Sequence, residues 1–324
     1  MRSAARVALV RPLARAIGAR RRRGHGAALD PQIAAVLELQ RLLRLPPLES
    51  MAPPRARAFA EAGLSPLDVA LVPMAEVVDI TAKRIPIRIY RPRDAGPHWI
   101  VYFHGGGGVI GSIRASDPIV RLLAAQTGCT VASVDYRLGP EDKHPAAIDD
   151  ACAAYAAIAA RLAPGARIAV AGDSFGGYLS AQVDRLAARR PDLQVLIYPL
   201  VDMTLTKPSI ERHADGFLLT RSLMYWFRGH YLNDDDDRHA ISPLYWDDLR
   251  RAAPAVVVTA GYDPLVDEGD AYAVRLRDAG VPVIHHRHDD LVHGFISLAG
   301  AVRAARAAVD TLTSAVRDQL TRAR

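Results

Sequence analysis

A serine, an aspartate and a histidine occur in this chain in the order and local settings that covalent acyl-transfer chemistry requires. Ser174 lies in the pentapeptide GDSFG at 172–176, which follows an apolar run at 167–171 and precedes a helix-forming stretch. This context predicts a sharp turn between a strand and a helix, with the serine hydroxyl exposed at the end of the strand. A serine becomes a nucleophile only when a base removes its proton, and the base needs a carboxylate that orients it.

Both partners are expected downstream of the serine, with the acid before the histidine, on loops that follow later strands. Asp263 comes directly after the apolar run 255–260, and His293 lies in the loop beyond the last predicted strand, 281–286. The order Ser174, Asp263, His293 therefore predicts a catalytic triad.

Other acids and histidines nearby compete for these two roles. Asp267 and Glu268 fall in the first turn of a predicted helix, where acids are favoured by the helix dipole. His285, His286 and His288 lie along or just beyond the last strand. We prefer the acid and the histidine that lie in loops after strands, because such loops face the site.

The glycine-rich run HGGGG at 104–108 follows the apolar strand 99–103. Glycine lets bare backbone approach a substrate carbonyl closely, and such a loop can supply amide donors for a developing oxyanion. A phosphate-binding loop is the competing interpretation, but neither of the usual phosphate-loop patterns is present. The predicted donors are the amides of Gly105, Gly106, Gly107 and, directly after the nucleophile, Phe175.

Short apolar strands and helices alternate over most of the chain. A hairpin is predicted at 75–80 and 83–90, followed by strands at 99–103, 130–134, 167–171, 194–198, 255–260 and 281–286. Helices are predicted at 31–45, 148–162, 175–190, 267–279 and 302–320. This alternation favours an α/β fold with a mostly parallel sheet covered on both faces.

One long segment, 203–254, interrupts the alternation. It has no strand pattern but many aromatic side chains, among them Phe217 and Trp226. An insertion of this length in an α/β sheet is typical of a lid or a binding element. Its acidic run 234–237 lacks the ligand spacing of a calcium loop, so a solvated turn is the favoured interpretation.

The net charge of +6 is concentrated at one end of the chain. Residues 1–29 carry eight arginines and no acid, which leaves 33 basic and 35 acidic residues in the remainder. A nucleic-acid surface on the folded part is not supported, and no apolar run is long enough to predict a membrane span. We interpret 1–29 as a disordered extension, with a targeting arm as the alternative.

The two cysteines, Cys129 and Cys152, lie in apolar surroundings and are interpreted as core thiols that form no disulfide. Together with the lack of a recognisable signal peptide, they favour a cytoplasmic location.

Five motifs, in this order, resemble those of the hormone-sensitive-lipase-like esterases of the α/β-hydrolase superfamily. They are HGGG at 104–107, DYRLGPE at 135–141 with PAA at 145–147, GDSFGG at 172–177, DPLVDEG at 263–269 and HGF at 293–295. The resemblance runs from about residue 31 to the C-terminus. It implies an α/β-hydrolase fold with an eight-stranded sheet, in one domain over 30–324 whose helical cap comes from 30–70 and 203–250. It also implies ester hydrolysis with no metal and no cofactor.

The resemblance assigns the triad and the oxyanion donors as above, and it gives His104 the role of ordering the glycine loop. It implies that Arg137 and Glu141 of DYRLGPE stabilise the fold. Two positions depart from the family pattern, since Gly108 stands where a bulky residue is usual and Phe175 where alanine is usual. We expect the phenyl ring to fill the space that the glycine vacates near the acyl pocket.

The predicted function is therefore a serine carboxylesterase acting on short-to-medium acyl esters through an acyl-enzyme. A pocket lined by Gly108, Phe217 and Trp226 is expected, and the expected partner is a small-molecule ester. A lipase or an aryl amidase with the same triad stays open, as does a homodimer. A non-catalytic ligand receptor on this fold is disfavoured, because the chain keeps all three triad residues.

Overall fold

The computed structural model describes residues 28–64 and 67–321. The predicted arginine-rich extension therefore lies, apart from its last two residues, outside the described residues.

The core of the molecule is an eight-stranded sheet with the strand order β1-β2-β4-β3-β5-β6-β7-β8. The strands are β1 Glu76–Ala82, β2 Ile85–Arg91, β3 Trp99–Phe103, β4 Thr130–Val134, β5 Ile168–Asp173, β6 Leu193–Ile197, β7 Ala255–Tyr262 and β8 Val283–Val292. β2 pairs antiparallel with both β1 and β4, and the other pairs are parallel. The predicted fold class is confirmed.

Nine α-helices in the described part of the chain surround this sheet. They are α1 Pro31–Leu42, α2 Pro53–Leu64, α3 Ile113–Thr127, α4 Ala146–Ala159, α5 Phe175–Leu186, α6 Pro208–Arg212, α7 Arg221–Tyr231, α8 Val266–Asp278 and α9 Arg303–Thr321. Helix α3 was not predicted from the sequence, although its buried residues recur at helical spacing from Ser116 to Thr127.

The two faces of the sheet are packed against different helices because successive side chains of a strand point to opposite faces. Tyr102 of β3 belongs to the cluster that includes residues of α1, α3 and α9. Its neighbour Phe103 belongs to the cluster that includes α4 and the start of α5. Both faces of the central strands are therefore buried, which explains their continuous apolar sequences.

The segment 203–254 contains α6 and α7 and no strand, as expected. Its two ends are held together where they leave the sheet. The amide of Leu244 donates to the Val201 carbonyl at 3.0 Å, and the amide of Met203 donates to Ser242 Oγ at 2.7 Å. These two hydrogen bonds therefore hold the two ends of the insertion against each other.

The last strand extends further than predicted. β8 continues to Val292, so His285, His286 and His288 lie within the strand and His293 directly follows it. Residues 285–290 are all polar, so this part of the strand lacks the continuous apolar sequence from which the central strands were predicted.

Candidate active site

Four strands deliver the predicted residues to one edge of the sheet. His104 follows β3, Ser174 follows β5, Asp263 follows β7 and His293 follows β8. Since these strands run parallel, their carboxyl ends lie at the same edge. Residues up to 189 positions apart in the chain are therefore neighbours.

Ser174 occupies a strained turn between β5 and α5. Its backbone has φ 55° and ψ −116°, a region that L-residues rarely adopt and that costs about 1–3 kcal/mol. The glycine two positions later permits the turn, because a Cβ at Gly176 would overlap the Phe103 carbonyl of β3. The serine is half-buried and lies at the N-terminus of α5, whose dipole favours negative charge.

His293 joins the serine to a buried carboxylate. Its Nε2 lies 3.0 Å from Ser174 Oγ, and its Nδ1 lies 2.7 Å from Asp263 Oδ2. Asp263 is fully buried, and its second oxygen accepts the Leu265 amide at 2.8 Å. With Nδ1–H donating to the carboxylate, the Nε2 lone pair faces the serine hydroxyl, which is the arrangement that general-base catalysis needs.

Both competing acids and one of the three competing histidines have other polar partners. Asp267 pairs with Arg212 at 2.5 Å, and Glu268 accepts the Val201 and Asp202 amides. His285 lies 3.2 Å from Asp270. Among the described contacts none of these groups touches Ser174.

Tyr198, which the sequence analysis did not single out, packs against the histidine. Its ring centroid is 4.6 Å from that of His293 and 5.2 Å from that of Phe295. The imidazole is therefore held from one side by a buried aromatic ring as well as by its hydrogen bonds. Its position directly after β6, at the same edge of the sheet, is the signal that could have identified it.

Gly105 corrects one prediction. Its amide donates to Asp173 Oδ1 at 2.9 Å, so it is already engaged and is not a free oxyanion donor. In the described part of the chain, no acceptor is found for the amides of Gly106, Gly107 and Phe175. Gly106 and Gly107 have φ values of 119° and 62°, which explains the need for glycine at both positions.

Asp173 ties the glycine loop to the serine turn. Besides the Gly105 amide, its Oδ1 accepts the Tyr102 hydroxyl at 2.6 Å. Burial raises the pKa of this carboxyl, and the Tyr102 hydrogen bond opposes the rise. Because Asp173 precedes the nucleophile, the loop and the turn are positioned by one side chain.

His104 lies in the interior beneath the same loop. Its Nδ1 contacts the Gly105 carbonyl at 2.8 Å and the Tyr136 hydroxyl at 3.1 Å, and its ring stacks on Tyr136. Burial lowers the pKa of the imidazole, which favours the neutral form. Its role in ordering the glycine loop stays a prediction.

The two departures from the family pattern lie against each other. A Cβ at Gly108 would come within 2.8 Å of the Phe175 ring and of the Tyr231 ring. Phe175 is fully buried, with its ring 4.7 Å from that of Tyr231 and 5.3 Å from that of Tyr178. The phenyl ring therefore occupies the space beside Gly108 from within the core.

Helix α7, in the 203–254 insertion, covers the glycine loop. A Cβ at Gly107 would overlap the ring of Phe227, an aromatic side chain of the insertion that was not singled out from the sequence. Phe227 and Tyr231 are four residues apart and so share a helix face, which is the signal that could have singled them out. Trp226 contacts Phe227 and stacks on His230.

Phe217 lies near Asp263. Its ring is 5.5 Å from that of Tyr262, the residue before Asp263. Its role in a substrate pocket stays a prediction, as does that of Trp226.

The Ser174 hydroxyl thus lies 3.0 Å from the His293 imidazole, and the glycine loop follows the strand that neighbours β5. The comparisons with known proteins agree with that chemistry. A family profile described as the alpha/beta hydrolase fold matches residues 100–297. The carboxylic ester hydrolase LipN of Mycobacterium tuberculosis is 37% identical over 92% of this chain and 85% of that protein.

The chain belongs to the hormone-sensitive-lipase-like carboxylesterase family of the α/β-hydrolase superfamily. An ethyl acetate hydrolase of Pseudomonas putida is 35% identical, over 73% of this chain and 79% of that protein. A crystal structure of an alpha/beta hydrolase from the metagenome of Lake Arreo matches with a TM-score of 0.85 at 34% identity, covering 89% of this chain and 98% of that one.

These relatives confirm the predicted family. They also confirm the prediction that the protein is an enzyme of the carboxylic-ester-hydrolase class. None of its described helices is both long and apolar enough to cross a membrane.

Proposed function

We propose that this protein is a serine carboxylesterase in which Ser174, His293 and Asp263 form the triad. The observation that carries the proposal is the continuous chain of contacts from the buried carboxylate to the half-buried hydroxyl, 2.7 Å and 3.0 Å long. Hydrogen bonds of these lengths let a proton move from Oγ to Nε2 as the serine attacks.

In the acylation half-reaction, Ser174 Oγ attacks the ester carbonyl while His293 Nε2 takes its proton. The carbonyl oxygen becomes an oxyanion, which the amides of Gly106, Gly107 and Phe175 stabilise. The imidazolium is stabilised by Asp263 and then protonates the leaving alcohol, which breaks the ester bond and leaves an acyl-enzyme.

In the deacylation half-reaction, water takes the place of the alcohol. His293 removes a proton from the water as it attacks the acyl carbonyl, and the same amides stabilise the second oxyanion. Collapse of this intermediate returns the proton to Ser174 Oγ and releases the carboxylic acid.

For the substrate we propose short-to-medium acyl esters. The rings of Phe227 and Phe175 lie against Gly107 and Gly108, so little room is left beside the loop for a bulky group. The relative named an ethyl acetate hydrolase supports a small acyl group. We further propose that 30–324 is one hydrolase domain with its cap formed by 30–70 and 203–250, since α7 contacts the glycine loop.

The test is replacement of the nucleophile combined with covalent labelling. Ser174→Ala should lower ester turnover by about 10⁴-fold or more and abolish labelling by an organophosphonate, because both need the same Oγ. Replacing Ser180, a buried serine on α5, with alanine serves as the matched control and should leave labelling intact. Full turnover by Ser174→Ala would refute the proposal, and absence of labelling in the wild-type protein would indicate a receptor.

The acyl preference is measured separately, with initial rates on p-nitrophenyl esters of increasing chain length and on matched anilides. We expect the highest kcat/KM at short-to-medium chains. A maximum at long, water-insoluble chains would indicate a lipase, and faster anilide cleavage an amidase.

A further inference from the structure

Arg57, on helix α2, makes four hydrogen bonds that reach across to the loops beside the proposed active site. Its Nε donates to the Val109 carbonyl at 2.8 Å, and its Nη2 donates to the Gly139 carbonyl at 2.8 Å. The guanidinium also binds both oxygens of Glu141, at 3.0 Å and 2.6 Å. One side chain of the N-terminal segment thus joins two loops that are separate in sequence.

Val109 and Gly139, whose carbonyls accept from Arg57, also donate hydrogen bonds to the glycine loop. The amides of Val109 and Ile110 donate to the Gly106 carbonyl at 3.0 Å each. The amide of Gly139 donates to the Gly108 carbonyl at 2.8 Å. Arg57 therefore holds the residue after the loop through one contact and the loop's last glycine through a second, indirect one.

The ion pair alone does not explain this arrangement. The side chains of Arg57 and Glu141 are 27% and 51% exposed, and pairs at that exposure contribute little to stability. Val109 and Gly139, in contrast, are buried, and among the described contacts their carbonyl oxygens accept from Arg57 only. The specific consequence of losing Arg57 is therefore two buried acceptors without a donor at the edge of the loop.

We propose that Arg57 is a positioning residue for the oxyanion loop, acting through the Val109 and Gly139 carbonyls, and that Glu141 fixes its guanidinium. The proposal rests on the proposed serine-esterase function, since only then do the amides of Gly106 and Gly107 meet an oxyanion. Helix α2 would thereby contribute to catalysis through Arg57.

Arginine is required for this role because of its geometry. The planar guanidinium presents several N–H donors in fixed directions, so it can bind a carboxylate and two carbonyls at once. A lysine at this position can reach only part of the set. Arg57→Lys should accordingly retain more function than Arg57→Met, but less than the wild type.

The experiment compares Arg57→Met, Arg57→Lys and Glu141→Gln with Arg137→Met. Arg137 is the matched control, because it makes a bidentate pair with Asp150 near the same loop but no described contact with the glycine loop. For each variant, kcat and KM on p-nitrophenyl acetate, the Tm, and the inhibition constant of a trifluoromethyl ketone are measured. The ketone forms a hemiketal with Ser174 whose oxyanion reports on the loop amides.

For Arg57→Met we expect kcat to fall by about 10–100-fold with KM little changed, because displaced donors lose contact only with the oxyanion. Ketone inhibition should weaken in parallel with kcat/KM. Arg57→Lys and Glu141→Gln should fall between this variant and the wild type. Arg137→Met should keep its kcat at temperatures well below its Tm.

A folded Arg57→Met protein with wild-type kcat and ketone affinity would overturn the proposal, as would a fall in Tm with no change in either. If Arg57→Met does not fold, unchanged kcat and ketone affinity in Arg57→Lys and Glu141→Gln would overturn it equally. Failure of the underlying function is distinguishable, because it would appear as turnover by Ser174→Ala.

Discussion

At the scale of single residues, the carboxylate of Asp263 is held in one orientation by its two hydrogen bonds. The carboxylate is fully buried, and its two oxygens are divided between the Leu265 amide and His293 Nδ1. The amide fixes the carboxylate within its own loop, so the other oxygen can hold only one orientation of the imidazole.

Asp263→Asn tests whether the carboxylate selects the tautomer of His293. The amide of an asparagine can donate to Nδ1 and so favours the wrong tautomer, in which Nε2 carries the proton and cannot accept from Ser174. We expect kcat to fall by about 10³–10⁴-fold with nearly unchanged stability. Kinetics at pH 7–8 together with Tm measure it; a loss below tenfold would contradict the assigned tautomer.

Residue types and their order predicted these three side chains, because the motif around each reports a backbone turn a few residues long. The same reasoning counted the Gly105 amide among the oxyanion donors, although that amide already donates to Asp173. Whether an amide in a glycine loop is free depends on what lies opposite it, and here that is Asp173, 68 positions away in the chain.

At the scale of secondary-structure elements, the glycine loop lies between two helices. Phe175, at the start of α5, packs against Gly108 from the core, and Phe227 of α7 in the 203–254 insertion covers Gly107. The glycines of the loop have no side chains that could pack, so aromatic rings from the neighbouring helices determine its shape.

Phe175→Ala would empty the space beside Gly108 and keep the backbone amide at 175. We expect the free energy of unfolding to fall by about 3–5 kcal/mol, as for other buried phenylalanines. The relative kcat/KM for longer acyl esters should rise, while p-nitrophenyl acetate is still hydrolysed. Chemical denaturation and the chain-length series measure the two effects, with Phe175→Leu as the conservative control. An unchanged chain-length preference would refute a role in the acyl pocket.

Apolar periodicity predicted seven of the eight strands to within two residues at each end. Two strands, β3 and β4, were predicted to the residue, because central strands buried on both faces have continuous apolar sequences. The edge strand β8 was predicted too short, since its exposed side chains carry no such signal. The pairing order of the strands depends on contacts that no local pattern contains.

At the scale of the whole molecule, buried acids make stability depend on pH. Asp184 of α5 accepts the Ala253 amide at 3.1 Å and 3.3 Å, and thereby joins α5 to the segment that leads into β7. Burial raises the pKa of its carboxyl to about 6. The folded protein therefore keeps a proton that the unfolded chain loses near pH 4, and stability falls as the pH rises from about 4 to about 6.

Asp184→Asn removes this dependence and keeps an oxygen that accepts the Ala253 amide. We expect the variant to be more stable than the wild type by about 1–3 kcal/mol at pH 7.5, with the difference vanishing near pH 4. Thermal unfolding across this range measures it. The exposed Asp248 is the control: Arg250 lowers the pKa of its carboxyl to about 2, so Asp248→Asn should give no gain at neutral pH. A difference that grows toward low pH would contradict the sign.

The amino-acid sequence by itself determined the fold class and the position of the glycine loop, and it predicted the three residues of the proposed triad, because each depends on local turn geometry and on apolar periodicity. Only the tertiary structure decided which loop amides have no acceptor and which aromatic rings cover the loop. It alone also shows that Arg57 donates to the carbonyls beside the loop. Arg57 is 52 positions from Val109 and 82 from Gly139, and such contacts arise from the packing of helices on the sheet. No spacing in the sequence reports that packing.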